Sequence, residues 1–412
     1  MLGRELETVA VAGEQLYCAL ERALRGGSPV LPIPQKMSAE LARALHGLAG
    51  GARPGEVGVR LDTAVVIATS GSTGTPKLVE LSASALLANA NASRETLGDD
   101  GQWLIALPTH TMGGLGQLVR SICSGIKPHY AADYGNPEAL VQAAQRMTES
   151  VKYTSLVPAQ LYRLLELAQR DPRAADVLRG FRAVLVGGGP VSLELRQRAH
   201  ELGVNLVRTY GATETAGGCV YDGVEIGDTK IRVRGGEVQL AGSNLASGYL
   251  NRELENLAFV TEKNAAGQLE KWYRTGDSGY LMGGMLDITG RLDRVLISGG
   301  INISLESIEQ VAQRVPGVAE CCAAIIADEQ WGHRAVLAVV PDRAVLEDSA
   351  GAQLALCELE NISPLLAADI KACLRSEIGA GAVPKRLCAV ANIPYLQSGK
   401  PDLQKIKQLL GD

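Results

Sequence analysis

The stretch Ala64-Val65-Val66-Ile67-Ala68-Thr69-Ser70-Gly71-Ser72-Thr73-Gly74-Thr75-Pro76-Lys77 joins an apolar run to a loop of glycines and small hydroxylated residues that ends on a lysine. Residues 64–68 carry the β-branched, apolar character of a buried strand. Small residues after it let the backbone approach a polyphosphate closely, with N–H groups pointing inward as an anion nest. Ser70, Ser72 and Thr73 add hydroxyl donors, and Lys77 adds a positive charge. The loop is not the P-loop of nucleotide triphosphatases, which requires Gly-Lys-Ser/Thr in sequence. Here Thr75 and Pro76 separate Gly74 from Lys77, and Leu78 stands where the magnesium-binding hydroxyl belongs. Taken alone, such a segment also reads as a flexible turn.

Outward from the loop, short apolar runs at 64–68, 103–107, 153–157, 183–186 and 206–207 alternate with helical periodicity at 83–94, 115–124, 138–147, 159–169 and 193–202. That alternation predicts an α/β architecture: a large N-terminal domain, 1–291, of mixed, mostly parallel sheets with flanking helices. Within it, glycine-punctuated alternating runs at 230–233 and 236–240 predict a β-rich subregion over 219–290. A helix signal at 305–314, strands near 321–326 and 335–340, and a second helix started by Ser363-Pro364 predict a small α+β C-terminal domain, 292–412.

The 412 residues exceed one ordinary core, and a net charge of −5 with no Lys/Arg-rich run excludes the electrostatic footprint of a nucleic-acid binder. Mean hydropathy is +0.06, and no apolar stretch is long enough to span a bilayer. The start, Met1-Leu2-Gly3-Arg4-Glu5, lacks the basic and apolar regions of a secretory signal, which makes the cytoplasm the expected location. Cysteines at 18, 123, 219, 321, 322, 357, 373 and 388 include no CxxC, so free thiols are expected rather than a zinc site or a disulfide framework.

Further motifs follow in order: Gly187-Gly188-Gly189-Pro190, Tyr210-Gly211-Ala212-Thr213-Glu214, Tyr273-Arg274-Thr275-Gly276-Asp277, Gly290-Arg291-Leu292-Asp293 with Ser298-Gly299-Gly300, and Pro394 with Ser398-Gly399-Lys400. Together with the 69–77 loop they resemble the adenylate-forming superfamily of acyl-CoA synthetases, peptide-synthetase adenylation domains and luciferases, from about residue 60 to the end. Each motif has a commoner structural explanation when taken singly: a Tyr-Gly turn, a loop carboxylate, a solvated lysine. The resemblance implies ATP, Mg²⁺ and coenzyme A as reactants and cofactors, with a small-molecule carboxylic acid as the other substrate. Thr69, Ser70, Gly71, Ser72, Thr73, Gly74 and Lys77 would hold the phosphates that leave as diphosphate. Gly188, Gly189 and Pro190 would flank the adenine, with Tyr210, Gly211 and Ala212 beside it. Thr213 would bond the α-phosphate and Glu214 would hold Mg²⁺, a hard ion suited to carboxylate oxygen. Asp277 would accept the ribose hydroxyls, as an ionised carboxylate does, with Ile288 and Arg291 on the same side of the nucleotide. Lys400 would bridge acyl carboxylate and α-phosphate as charge develops. The resemblance further implies that the small domain is mobile about Asp293, and that Gly299 and Gly300 line a tunnel for the coenzyme thiol.

The acid is read from the segment Ala106-Leu107-Pro108-Thr109-His110-Thr111-Met112-Gly113-Gly114, similar to the family's LPxxHxxG, with His110 one place before the usual histidine and Thr111 on it. Absence of an acidic residue between Ile105 and Arg120 disfavours an amino-acid substrate. Ala216, Gly217 and Gly218 after the YGxTE motif, with Gly187, would leave room for an aromatic ring. This run most resembles the compact bacterial o-succinylbenzoate–CoA ligases of menaquinone synthesis. Arg120 could then meet a second carboxylate, although a helix-surface arginine is the commoner explanation. Leu78, Asn302 and Leu403 depart from residues usual in the family, on the loop and coenzyme sides. Another aryl- or acyl-CoA ligase, an enzyme that loads a carrier protein, and a non-catalytic nucleotide binder are the competing expectations. A homodimer is left open.

Overall fold

The computed structural model describes residues 4–10, 13–34, 42–43, 58–69, 76–298, 301–328, 332–342, 357–395 and 401–410. The chain divides into two compact units: residues 1–234, 239–275 and 281–286 form one, and residues 235–238, 276–280 and 287–412 form the other.

The first unit contains a seven-stranded sheet in the order Val224–Glu225, Gly217–Tyr221, Leu206–Ala212, Ala183–Val186, Lys152–Leu156, Gln102–Ile105, His129–Tyr130. Leu206–Ala212 through His129–Tyr130 are parallel, and Gly217–Tyr221 returns antiparallel. Both faces are covered, which explains why the strands read as unbroken apolar runs. Trp103, Ile105 and Leu185 enter one core with the helices Gly13–Leu24, Ala83–Leu97 and Met112–Ser124. Their alternates Leu104, Ala106, Val184 and Val186 enter a second core under the helices Pro137–Gln145, Pro158–Arg170, Pro172–Arg179 and Leu193–Glu201.

A five-stranded sheet in the same unit runs Gly248–Tyr249, Lys77–Ser82, Thr63–Thr69, Val30–Ile33, Glu7–Ala10. Its members Val65, Ile67, Val79 and Leu81 belong to the first core. Ser82 ends a strand and starts a helix at once, its hydroxyl accepting the Ala85 N–H at 3.1 Å. The glycine-rich region forms a further antiparallel sheet, Lys230–Arg234, Glu237–Ala241, Leu269–Met282 and Phe259–Lys263, with Met285–Arg291 also on Leu269–Met282.

The second unit packs the helices Leu305–Gln313 and Pro364–Glu377 on a four-stranded sheet, Val318–Asp328, Gly332–Pro341, Arg386–Ala389, Cys357–Glu358. Ser363 caps its helix by accepting the Leu366 N–H, with Pro364 at the first position. Leu403–Leu410 covers the opposite face through Ile406 and Leu410. Among the described residues no helix is long and apolar enough to cross a membrane.

Candidate active site

Thr69 and Lys77 face each other across an antiparallel pair, so the loop between them joins two strands rather than a strand and a helix. Ser70, Gly71, Ser72, Thr73 and Gly74 lie outside the described residues. Lys77 is half-buried, with Nζ 5.9 Å from the centre of the Tyr249 ring.

The Tyr210–Glu214 motif lies where the Leu206–Ala212 strand gives way to a 3₁₀ turn, Thr213–Thr215. Pairing with Gly217–Tyr221 shifts register between Tyr210 and Gly211, and bulges of this kind re-aim side chains at the ends of sheets. Gly211 is required by packing: a Cβ there would stand 2.2 Å from the Gly217 carbonyl oxygen. Gly187, at the end of its own strand, is equally constrained, since a Cβ would meet Thr209 Oγ1 at 2.4 Å. Gly188 takes φ +79° and is exposed with Gly189 and Pro190, leaving backbone open beside Val157 and Pro158.

Glu214 is buried, 6% exposed, and its Oε1 accepts the hydroxyl of the equally buried Tyr249 at 2.6 Å. Burial first, and then the Glu214 charge, push the Tyr249 phenol far above its ordinary value, so it stays a donor. The Glu214 carbonyl accepts the Ala246 N–H at 2.8 Å. Asn244 Nδ2 donates to the Thr215 carbonyl at 3.0 Å, and Asn89 Nδ2 to the Gly218 carbonyl at 2.8 Å. Ala216 is buried in the left-handed region at φ +53°, while Gly217 and Gly218 are half-buried. Among these, Tyr249, Asn244 and Asn89 had no signal in the sequence: each lies far along the chain from the turn it supports.

His110 is half-buried in the bend before the Met112–Ser124 helix, and Thr111 is that helix's N-cap residue, its hydroxyl donating to the Pro108 carbonyl at 2.7 Å. Arg120 is not the surface arginine that helix periodicity suggests. It is 9% exposed, its guanidinium lies 4.9 Å from the Trp103 ring centre, and its Nε has no hydrogen-bond partner among the described residues.

In the second unit, Asp277 Oδ1 accepts from Arg291 Nη1 at 3.1 Å. Arg291 also donates to both carboxylate oxygens of Asp293, from Nε at 3.0 Å and from Nη2 at 3.3 Å. Gly276 takes φ +70°, and its N–H donates to Glu237 Oε1 at 3.2 Å. Ile288 is half-buried on Met285–Arg291, and Asp293 sits in the 3₁₀ turn Leu292–Arg294. Arg294 fastens that turn through Glu306 at 3.0 Å and Glu309 at 2.7 Å. Gly299, Gly300 and Lys400 lie outside the described residues.

The donors present fit nucleotide and metal in a specific way. Among the described residues no group of three or more His, Cys, Asp or Glu could hold a metal ion. A single buried carboxylate suits Mg²⁺ that arrives on substrate phosphates, because this ion keeps waters and phosphate oxygens and needs only one or two protein carboxylates.

Residues 37–238 match the family described as AMP-binding enzyme, and residues 307–400 match the AMP-binding enzyme C-terminal domain. A probable 2-succinylbenzoate–CoA ligase of Mycobacterium tuberculosis is 37% identical over 333 residues, covering 79% of this chain and 81% of that protein. The 2-succinylbenzoate–CoA ligase of Bacillus cereus is 30% identical over 374 residues, 84% of this chain and 70% of that one. The fold is shared with the o-succinylbenzoate CoA synthetase of Bacillus subtilis, solved with its acyl-adenylate intermediate: TM-score 0.69, 24% identity, covering 97% of this chain and 83% of the other.

Proposed function

This chain belongs to the AMP-binding enzyme family, and we propose that it is an AMP-forming acid–thiol ligase that converts o-succinylbenzoate, ATP and coenzyme A to o-succinylbenzoyl-CoA, AMP and diphosphate. The observation that carries the substrate is the likeness, across most of the chain, to 2-succinylbenzoate–CoA ligases. The geometry supports the chemistry. A carboxylate oxygen of the acid attacks the α-phosphorus, the bond to the bridging oxygen of the β-phosphate breaks, and diphosphate leaves. The coenzyme thiol then attacks the acyl carbon, AMP leaves, and the thiol proton passes to solvent.

In this assignment Lys77 and residues 69–74 neutralise the departing diphosphate, and Thr213 donates to the α-phosphate. Mg²⁺, held by Glu214 and phosphate oxygens, would offset the negative charge that the incoming carboxylate meets. Gly188, Gly189, Pro190, Tyr210, Gly211 and Ala212 take the adenine side, and Asp277, Ile288 and Arg291 the ribose side. His110, Gly187, Ala216, Gly217 and Gly218 face the acid. We assign its second carboxylate to Arg120, a buried cation with an unpartnered N–H among the described residues. Lys400 acts on the first half-reaction, Asp293 is the hinge residue between domains 1–291 and 292–412, and Gly299 and Gly300 serve the thiol. Cys18, Cys123, Cys219, Cys321, Cys322, Cys373 and Cys388 are free thiols, which supports a cytoplasmic site of action.

Diphosphate release is the test, with ATP, Mg²⁺ and either o-succinylbenzoate, benzoate, 4-oxo-4-phenylbutanoate, a medium-chain fatty acid or amino acids, each with and without coenzyme A. Selective turnover of o-succinylbenzoate to its thioester is expected. Equal turnover of 4-oxo-4-phenylbutanoate, which lacks the ring carboxylate, would overturn the role of Arg120. Preference for another acid would overturn the substrate, and full turnover without a thiol would overturn the ligase reading.

A further inference from the structure

Glu214 is held by one short segment, residues 244–249, at both its side chain and its backbone. Tyr249 supplies the hydroxyl to Oε1 at 2.6 Å, Ala246 the N–H to the carbonyl at 2.8 Å, and Asn244 grips the next carbonyl, that of Thr215, at 3.0 Å. The segment is anchored in turn. Gly248 pairs with Glu80 and Tyr249 with Val79, placing the phenol on the edge of the strand that Lys77 begins. Lys271 Nζ donates to the carbonyls of Ala246 and Ser247, 2.9 Å each. Glu80 is fully buried and binds the Arg60 guanidinium, the Arg60 N–H at 2.8 Å and the Thr63 hydroxyl at 3.0 Å; Arg60 also binds Glu255. The Tyr249 ring itself packs 5.8 Å from the Phe259 ring.

A carboxylate with one oxygen pinned by a buried phenol has lost its freedom to rotate. Mg²⁺ demands near-ideal octahedral geometry, so the angle at which a carboxylate is presented matters more for this ion than for a larger one. Groups that orient a metal ligand without touching the metal contribute strongly to affinity.

We propose that Tyr249 is the positioning residue of Glu214: its hydroxyl fixes the carboxylate in the orientation that meets the metal arriving with ATP. This rests on the assignment of Glu214 to Mg²⁺ made above. Tyr249 touches neither nucleotide nor acid, and acts through Glu214.

Calorimetric binding of a non-hydrolysable ATP analogue to the full chain, over a series of free Mg²⁺ concentrations, tests it with Y249F, E214Q and the double variant. Y249F is expected to raise the free Mg²⁺ needed for half-maximal nucleotide affinity about 10-fold. It should leave metal-free AMP binding unchanged, and kcat should recover at saturating Mg²⁺. In the E214Q background, Y249F should add nothing, because the acceptor it served has already changed. Wild-type Mg²⁺ dependence in Y249F, with E214Q shifted, overturns the role of Tyr249 alone. An unshifted E214Q overturns the assignment beneath it, and multiplying effects overturn the coupling. Y249F keeps the ring against Phe259, and its thermal midpoint is read alongside. If it unfolds, K271M, which frees the same segment while keeping the phenol, must reproduce the direction of the shift; wild-type behaviour there overturns the proposal.

Discussion

Glu214 and Asp277 are both carboxylates assigned to the nucleotide, and the chain surrounds them with opposite materials. Around Glu214, a buried phenol, two asparagine amides and a backbone N–H fix the side chain and the turn that carries it. Asp277, 17% exposed, is held in part by Arg291, whose side chain is 46% exposed and which at the same time holds Asp293, 47% exposed. The Arg291–Asp293 pair is exposed on both sides, and pairs of that kind contribute about 0–1 kcal/mol, so Arg291 can release Asp293 at little cost. Buried polar pairs are expensive to part, because each group loses its partner away from water. The difference teaches where this chain keeps rigidity. The carboxylate assigned to the metal is pre-oriented, whereas the residues assigned to ribose and hinge are joined by one exchangeable guanidinium.

The contrast is broken most directly at one glycine in each region. Gly211→Ala puts a Cβ 2.2 Å from the Gly217 oxygen and 2.9 Å from the Gly218 Cα, all backbone, so the antiparallel pair has to part. We expect a loss of about 3 kcal/mol, the upper end for overpacking, with nucleotide binding lost. Gly276→Ala brings a Cβ to 3.2 Å from an Arg291 guanidinium nitrogen, the far end of a flexible side chain, leaving φ +70° as the main penalty. That costs about 1–2 kcal/mol. Denaturant unfolding of the two variants checks the order; equal losses would mean that the second region is packed as tightly as the first.

Much of the first region's frame was legible because burial on both faces leaves an unbroken apolar signal. The runs at 64–68, 103–107 and 183–186 fall on the strands Thr63–Thr69, Gln102–Ile105 and Ala183–Val186. The strand at 206–207 extends to Ala212, through Arg208, Thr209 and Tyr210, whose polarity hides it; Ala183–Val186 on one side and Gly217–Tyr221 on the other hold it. The motif residues were legible as an ordered set, but not their supports. Tyr249 sits on a two-residue strand, 35 positions from Glu214, and no local periodicity announces such a partner. Arg120 was misread for a related reason: a charged residue on a helix is ordinarily solvated, and only the tertiary placement of Trp103 gives it a ring to lie over.

Arg291→Lys sharpens the other side of the comparison. A lysine supplies one point charge where the guanidinium now serves Asp277 and Asp293 through three nitrogens. Stability should change by less than about 0.5 kcal/mol, as for surface substitutions generally, while ATP affinity falls about 10-fold if both carboxylates must be served at once. A thermal midpoint lowered as far as that of Gly211→Ala would make the trio structural rather than exchangeable.

The mildest probe changes no residue. Cys219 is fully buried behind the Glu214 turn, and burial pushes its thiol from the ordinary 9.0 up to about 11, against the smaller lowering influence of the polar side chains of Thr215, Asn244 and Thr229. The thiolate is therefore disfavoured in the folded chain relative to the unfolded one. The stability this contributes is full below pH 9.0 and is lost as pH rises toward 11, since the unfolded chain releases the proton first. At about pH 8, where the thiolate is the reactive species, alkylation followed by peptide mass analysis should find Cys219 protected while the half-buried Cys18 and Cys373 react. Protection should weaken between pH 9.0 and about 11, in step with alkaline loosening of the fold. If Cys219 instead reacts at the rate of Cys373 at about pH 8, the turn opens locally on the timescale of labelling, and its rigidity cannot come from the 244–249 segment.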